Sequence, residues 1–309
     1  MYEHEREVQE LNQRFLQALT TPGMEKVAQD EVTEFTRTYV LEMGFKRKIL
    51  PPIPISPDKL DRRSDTDKPY VIVDKEPGMP PAISVPLGTL PTGFYIRGPR
   101  YEVKFQRILS PKFYKDIGEL ATYRMDIRQV LADKIVKVIQ FEEDSKFLKA
   151  VDSILVGPNT NVPRVGVPLW RQFVGGLSRV NWVESTKIMA STKFHLEPSC
   201  MLLNTLTYRE FLKWGRDEWG GDVAAEIIRT GNVIESIDNI KLILTIKHEL
   251  VPTNTIYYFA EPRFLGKFFV VDDITMYVKN TAYIIEFWAY EFIGSAIGHG
   301  AGLARADFV

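Results

Sequence analysis

The sequence has little of what binds metals or staples small folds: one cysteine, Cys200, and four histidines in 309 residues. A single cysteine excludes an intramolecular disulfide and an all-sulfur metal site. The histidines, His4, His195, His248 and His299, are scattered, and His248-Glu249 lacks the second histidine of a helical zinc site. His248 therefore reads as a surface residue at a strand end. An excess of one charge is also missing. The 39 basic and 40 acidic residues leave a net charge of −1, which excludes a chain-wide electrostatic grip on nucleic acid or an anionic membrane. No apolar run is long enough to span a bilayer, and no charged-then-apolar leader opens the chain. Assembly in a reducing cytoplasm is the expectation.

Catalytic motifs are absent as well. Gly266-Lys267 resembles the end of a phosphate loop, but Glu261 stands where glycine is required and Phe268 where a magnesium-binding hydroxyl belongs. Gly298, Gly300 and Gly302 around His299 lack the dinucleotide spacing and suggest a flexible or tightly turned tail. Ser295 in Gly294-Ser295-Ala296 does not form a nucleophile elbow. Glu142, Glu143 and Asp144 offer oxygen ligands for a hard cation, yet consecutive helical positions point apart, so a solvated helix face is expected. Asp272-Asp273 reads as a turn between two strands. No catalytic, metal or cofactor site is assigned, and the chain is not expected to be an enzyme.

What the sequence does have is a core and an order of parts. Hydrophobic residues make up 45%, enough to bury a sizeable core and to set disorder aside. Val8, Leu11, Phe15 and Leu19 recur at helical spacing on an otherwise charged segment, and Met24 to Met43 resumes that spacing until Gly44. Four prolines between Leu50 and Asp67 predict an extended linker. Strand-like runs follow at Tyr70 to Val73, Ile83 to Leu87, Phe94 to Arg97 and Tyr101 to Ile108, broken by Pro and Gly, and they predict a protruding hairpin. The longest helical pattern runs from about Ile117 to Leu155 and ends at Gly157-Pro158. A further helix is expected around Trp182 to Thr192, and two more between Thr207 and Gly231. From Ile240 onward the pattern is β: Leu242 to Ile246, Thr255 to Phe259, Phe268 to Val271, Ile274 to Val278 and Tyr283 to Tyr290.

The interleaved aromatic and basic residues Phe94, Tyr95, Arg97, Arg100, Tyr101, Lys104, Phe105 and Arg107 fit either stacking on nucleic acid or an anchor in a protein interface. The balanced net charge favours the interface. The candidate subunit-interface residues are Val8, Leu11, Phe15, Phe94, Tyr95, Arg97, Tyr101, Phe105 and Arg107.

Several stretches also resemble a known family in wording and in order. They are Ser110-Pro111-Lys112-Phe113 with Glu119-Leu120, Asp126-Ile127 and Glu143-Asp144, then Leu203-Asn204, Leu206-Thr207, Trp214, Gly220 and Gly231. Ile256-Tyr257, Leu265-Gly266, Val271-Asp272-Asp273, Phe287, Tyr290-Glu291 and Ile293-Gly294 complete the series. This succession resembles the major capsid proteins of tailed bacteriophages, whose fold is named after the Hong Kong phage and shared with encapsulins. It spans residues 110 to 309; the arm and hairpin match by order and composition only.

The resemblance implies an α+β, Hong-Kong-phage-type capsid fold with an N-terminal arm (1–60), an extended loop lying over an adjacent subunit (61–110) and a peripheral domain with its spine helix (111–185). An axial domain (186–270) would follow, and the final strands (271–309) would return to the peripheral domain. It implies a chain that self-assembles through pentamers and hexamers into an icosahedral shell around double-stranded DNA, contacted only weakly. It also implies portal and possibly decoration proteins as partners, no membrane, and a location in the virion after assembly in the host cytoplasm. About a hundred residues precede the spine helix, so a separate scaffolding protein is expected in place of a fused one. The alternative is an encapsulin-type compartment; a soluble enzyme without a recognisable motif ranks last.

Overall fold

The computed structural model describes residues 44–64, 66–75, 98–121, 127–156, 169–214, 235–281 and 283–309, with isolated positions between 10 and 17 and between 82 and 95. In chain order the elements begin with α1 (Phe45–Ile49), β1 (Ile53–Pro54), β2 (Asp61–Arg62), β3 (Pro69–Asp74), β4 (Arg100–Leu109) and β5 (Phe113–Asp116). Helices α2 (Ile117–Ala121) and α3 (Ile127–Leu155) come next, then β6 (Trp170–Phe173), α4 (Arg179–Ala190), β7 (Cys200–Asn204) and α5 (Thr205–Phe211). The chain closes with β8 (Ser236–Ile237), β9 (Ile240–Thr245), β10 (Thr255–Phe259), α6 (Pro262–Leu265), β11 (Gly266–Thr281), β12 (Ile284–Ile297) and β13 (Leu303–Phe308).

Helix α3 has 29 residues and so runs about 44 Å, at roughly 1.5 Å per residue. Ile135, Val136, Ile139, Phe147, Leu148 and Val151 recur three and four apart and are all buried, which gives the helix one long apolar face. That face lies between two sheets. The first is seven-stranded, ordered β1-β11-β12-β4-β3-β2, with β5 also paired to β12. Strand β12 alternates in and out along its length, with Ile285, Phe287, Ala289 and Ile293 packed toward α3 in one shared core.

The second sheet is six-stranded, ordered β6-β13-β10-β7-β9-β8. Leu202, Ile243, Tyr257, Phe259 and Leu303 on one face join the α3 core. Met201, Leu203, Ile256, Tyr258 and Phe308 on the other face pack with Trp182, Ile188 and Met189 of α4 and Phe211 of α5. Covered on both sides, β7 and β10 are buried at every position and read as continuous apolar runs, not alternating ones. Asn204 turns β7 into α5. Its Oδ1 accepts from the Thr207 amide (2.6 Å) and its Nδ2 donates to the Val251 carbonyl (3.0 Å), a side-chain N-cap inside the core.

Several expectations need correction. Asp272-Asp273 does not turn the chain. It sits in two register irregularities of the single strand β11, with Asp273 Oδ1 accepting from the Ile274 amide (2.9 Å); Ile274 and Met276, both buried, keep the strand going. Ser84, Val85 and Pro86 have no strand geometry, and Leu87-Gly88 forms a turn with Gly88 at φ +87°, a value that Gly adopts freely. The tail around His299 is a tight turn, a single 3-10 turn at Gly300–Gly302, and it leads into strand β13. That strand pairs with β10 and β6. Thus β11 and β12 join the first sheet while the last strand belongs to the second, because Leu303, Ala304, Ala306 and Phe308 fill its two apolar faces. Finally, the expected arm ends inside the body: Phe45, Ile49 and Leu50 are core residues.

Candidate subunit interface and its internal anchor

Strands β3 and β4 pair antiparallel from Tyr70–Lys104 to Asp74–Arg100 and carry the chain out to the segment between them. Leu87, Leu90 and Tyr95 of that segment are almost wholly exposed, at 106%, 88% and 89%. Of the sequence-derived interface residues, Val8, Leu11, Phe15, Phe94 and Arg97 lie outside the described residues.

The remaining four occupy three different environments. Tyr95 is exposed. Tyr101 is half-buried with its ring where a side chain on Gly298 would stand, 2.6 Å from the nearest ring carbon. Phe105 is buried inside its own subunit: its ring fills the space over Gly294 and lies 5.8 Å from Phe292 and 6.4 Å from Phe269. It is core, and a neighbour cannot reach it. Arg107 is exposed and spreads over the Tyr290 and Phe292 rings at 5.6 and 5.5 Å, a cation–π arrangement. Further along the same face Tyr277 stacks on Trp288 and Tyr290 (5.7 and 5.5 Å), with Lys112 Nζ 4.9 Å above Trp288.

Behind this surface lies a charge cluster that the sequence did not suggest. Glu143 and Asp144, read as solvated, are 2% and 0% exposed; Glu142 is half-buried. They face α1, whose Lys46 and Arg47 are also buried. Arg47 donates from Nε to Glu143 (3.2 Å) and from Nη2 to both Glu291 and Asp273 (3.1 Å each). Lys46 Nζ stands 3.4 Å from Glu143 and 3.8 Å above the Phe268 ring. Asp144 accepts from the Lys46 amide (3.0 Å) and from Lys247 Nζ (2.6 Å). Each buried ion thus has an opposite partner, as low dielectric demands. The cluster fixes α1 to α3, β11, β12 and the turn after β9. Glu143-Asp144 and Tyr290-Glu291 stand out by resemblance; nothing in periodicity alone pairs them with Lys46-Arg47, which precedes Glu143 by 96 residues and Glu291 by 244.

Two other groups are settled by their surroundings. His299 Nδ1 accepts from the Ala301 amide (3.2 Å), and its ring meets Phe194 edge-on at 4.4 Å. Burial and the nearby Lys75 and Lys193 push it down to about 4, so it is neutral at pH 7. Burial pushes the Cys200 thiol up to about 11, which leaves it unreactive.

No family model and no curated protein matches this chain. Solved structures do. The capsid of cyanophage P-SCSP1u aligns over 84% of this chain and 86% of its own, with 10% identity and a TM-score of 0.59. The chain has the phage capsid fold. A structure of Microbacterium phage Oxtober96 aligns at the same TM-score, with 11% identity over 87% of this chain and 92% of that one. A virus-like particle from Pyrococcus furiosus aligns over 90% and 98%, with 15% identity and a TM-score of 0.53.

Proposed function

We propose that this chain is a structural protein, the major capsid protein of a tailed bacteriophage. It self-assembles through pentamers and hexamers into the icosahedral shell around double-stranded DNA. The observation that carries this reading is the likeness to phage capsids over more than four fifths of both chains. The exposed apolar tip at Leu87, Leu90 and Tyr95 supports it, since a loop of this kind covers a neighbour and multiplies buried area without one large flat patch. The arm carrying Val8, Leu11 and Phe15 would add a second reach, and Tyr101 and Arg107 would line the loop's approach. A separate scaffolding protein, a portal and a decoration protein are the partners of this reading. Contact with the packaged DNA is weak, given the balanced charge. The location is the virion capsid, following assembly in the host cytoplasm.

A second reading, an encapsulin-type compartment, is favoured by the virus-like particle match, which spans 98% of that chain. Electron microscopy and sedimentation of the purified chain, co-expressed with neighbouring phage genes and alone, test both. Closed polyhedral shells or five- and six-membered rings are expected. Shells filled with one host enzyme and no DNA would favour the compartment, and a persistent monomer under both conditions would overturn the shell reading.

A further inference from the structure

The junction around Arg47 holds more acid than base. Lys46 and Arg47 of α1 and Lys247 after β9 face four carboxylates: Glu143 and Asp144 of α3, Asp273 of β11 and Glu291 of β12. The side chains of Glu143 and Glu291 are 3% and 0% exposed. Each uses one oxygen for Arg47. The other oxygen of each, Oε1, receives no hydrogen bond from any described residue; Lys46 Nζ comes only to 3.4 Å of that of Glu143.

A buried carboxylate oxygen without a donor is costly, and two carboxylates held by one guanidinium in a dry site repel each other. The least expensive remedy is a proton on one of them. It converts an acceptor into a donor and brings the cluster to three positive against three negative charges. Glu291 is the more enclosed of the pair, and it shares its guanidinium nitrogen with Asp273. Glu143 has the closer pair of cations.

We propose that this junction is a proton-binding lock: Glu291 holds one proton beside Glu143, and the arm root Phe45–Leu50 is gripped most firmly while that proton is in place. Burial first, then the Glu143 charge, push Glu291 from an ordinary 4.5 up to about 8. The sign follows from linkage. A carboxyl raised in the closed state contributes stability that is complete below its ordinary value and is lost as pH rises through the raised one. The grip therefore weakens between about pH 4.5 and pH 8, by up to roughly tenfold per pH unit, and levels off beyond. Asp144, raised by burial, adds in the same direction at the acid end. Lys46, lowered by the same burial, works with opposite sign; Glu143 and Glu291 both raise it, so Glu291→Gln lowers it further and cannot by itself reproduce the wild-type loss of protection with rising pH.

The test uses the full chain and is independent of whether shells form, so it stands or falls apart from the shell reading. Infrared spectroscopy at neutral pH should show a buried protonated carboxyl band that Glu291→Gln removes. Hydrogen exchange of residues 45–50, corrected for the intrinsic effect of pH, should lose protection from pH 5 to 8 in the wild type and stay level in Glu291→Gln. Glu143→Gln, which keeps the volume and removes the repelling charge, should move the carboxyl midpoint down by about one pH unit or more. A missing band, a band that survives Glu291→Gln, a midpoint unmoved by Glu143→Gln, or wild-type pH dependence in Glu291→Gln would each overturn the proposal.

Discussion

Two arginines tie helix α3 to its surroundings, and they do it under different conditions. Arg47 sits in a dry pocket with its side chain 2% exposed, against Glu143 near the middle of α3. Arg305 of β13 reaches Asp152 in the last turn of the same helix at 3.1 Å, with side chains 19% and 38% exposed. Arg305 also pairs with Asp307 (3.0 Å), which accepts from Thr255 and Trp170; Asp152 accepts from Tyr257 as well. The hydrogen bonding is similar in number, but water is a partner in one junction and excluded from the other. What differs is the cost of losing a member: the wet junction rehydrates, whereas the dry one strands its charges.

Arg47→Ala should therefore be the most damaging change, since it leaves Glu143, Glu291 and Asp273 without their shared donor. A loss of about 3–5 kcal/mol is expected in urea unfolding of the subunit, nearly independent of salt. Arg305→Ala should cost only about 1 kcal/mol, and added salt should shrink the difference further. Equal losses from the two variants would erase the distinction drawn here. At the far end, Tyr95→Ala touches neither junction and should leave subunit stability within about 0.5 kcal/mol. Its effect belongs to the shell reading, where it should reduce the yield of closed particles by sedimentation; unchanged yield would remove Tyr95 from the interface.

Patterned segments were the legible ones. The α3 stripe, the β3–β4 pair, and β9 and β10 could be read because one or both faces are apolar and the period shows in the residues themselves. The two fragments Phe268–Val271 and Ile274–Val278 proved to be one strand because Asp272-Asp273, taken for a turn, is accommodated as bulges. Strand β7 was passed over: Cys200-Met201-Leu202-Leu203 is a short apolar run without alternation, which periodicity does not separate from helix. Strand β13 was hidden behind three glycines. The charged junction was the deepest miss. Glu143-Asp144 looks like any solvated helix face until a partner from residue 46 or 47 arrives, and only the fold brings it there. Phe105 illustrates the converse, an aromatic among basic residues that faces inward because Gly294 leaves room for its ring.

The placement of β13 sets an order of events during synthesis. All five other strands of the second sheet leave the ribosome before it, and β10 and β6 then flank a vacant slot that no earlier strand among the described residues fills. Until Leu303–Phe308 emerges, β10 offers an open edge, and on a crowded polysome the nearest strand able to enter is the β13 of another copy. The sheet is thus most exposed to swapping just before its last strand is made. A free peptide of that sequence, supplied during translation, would compete for the slot.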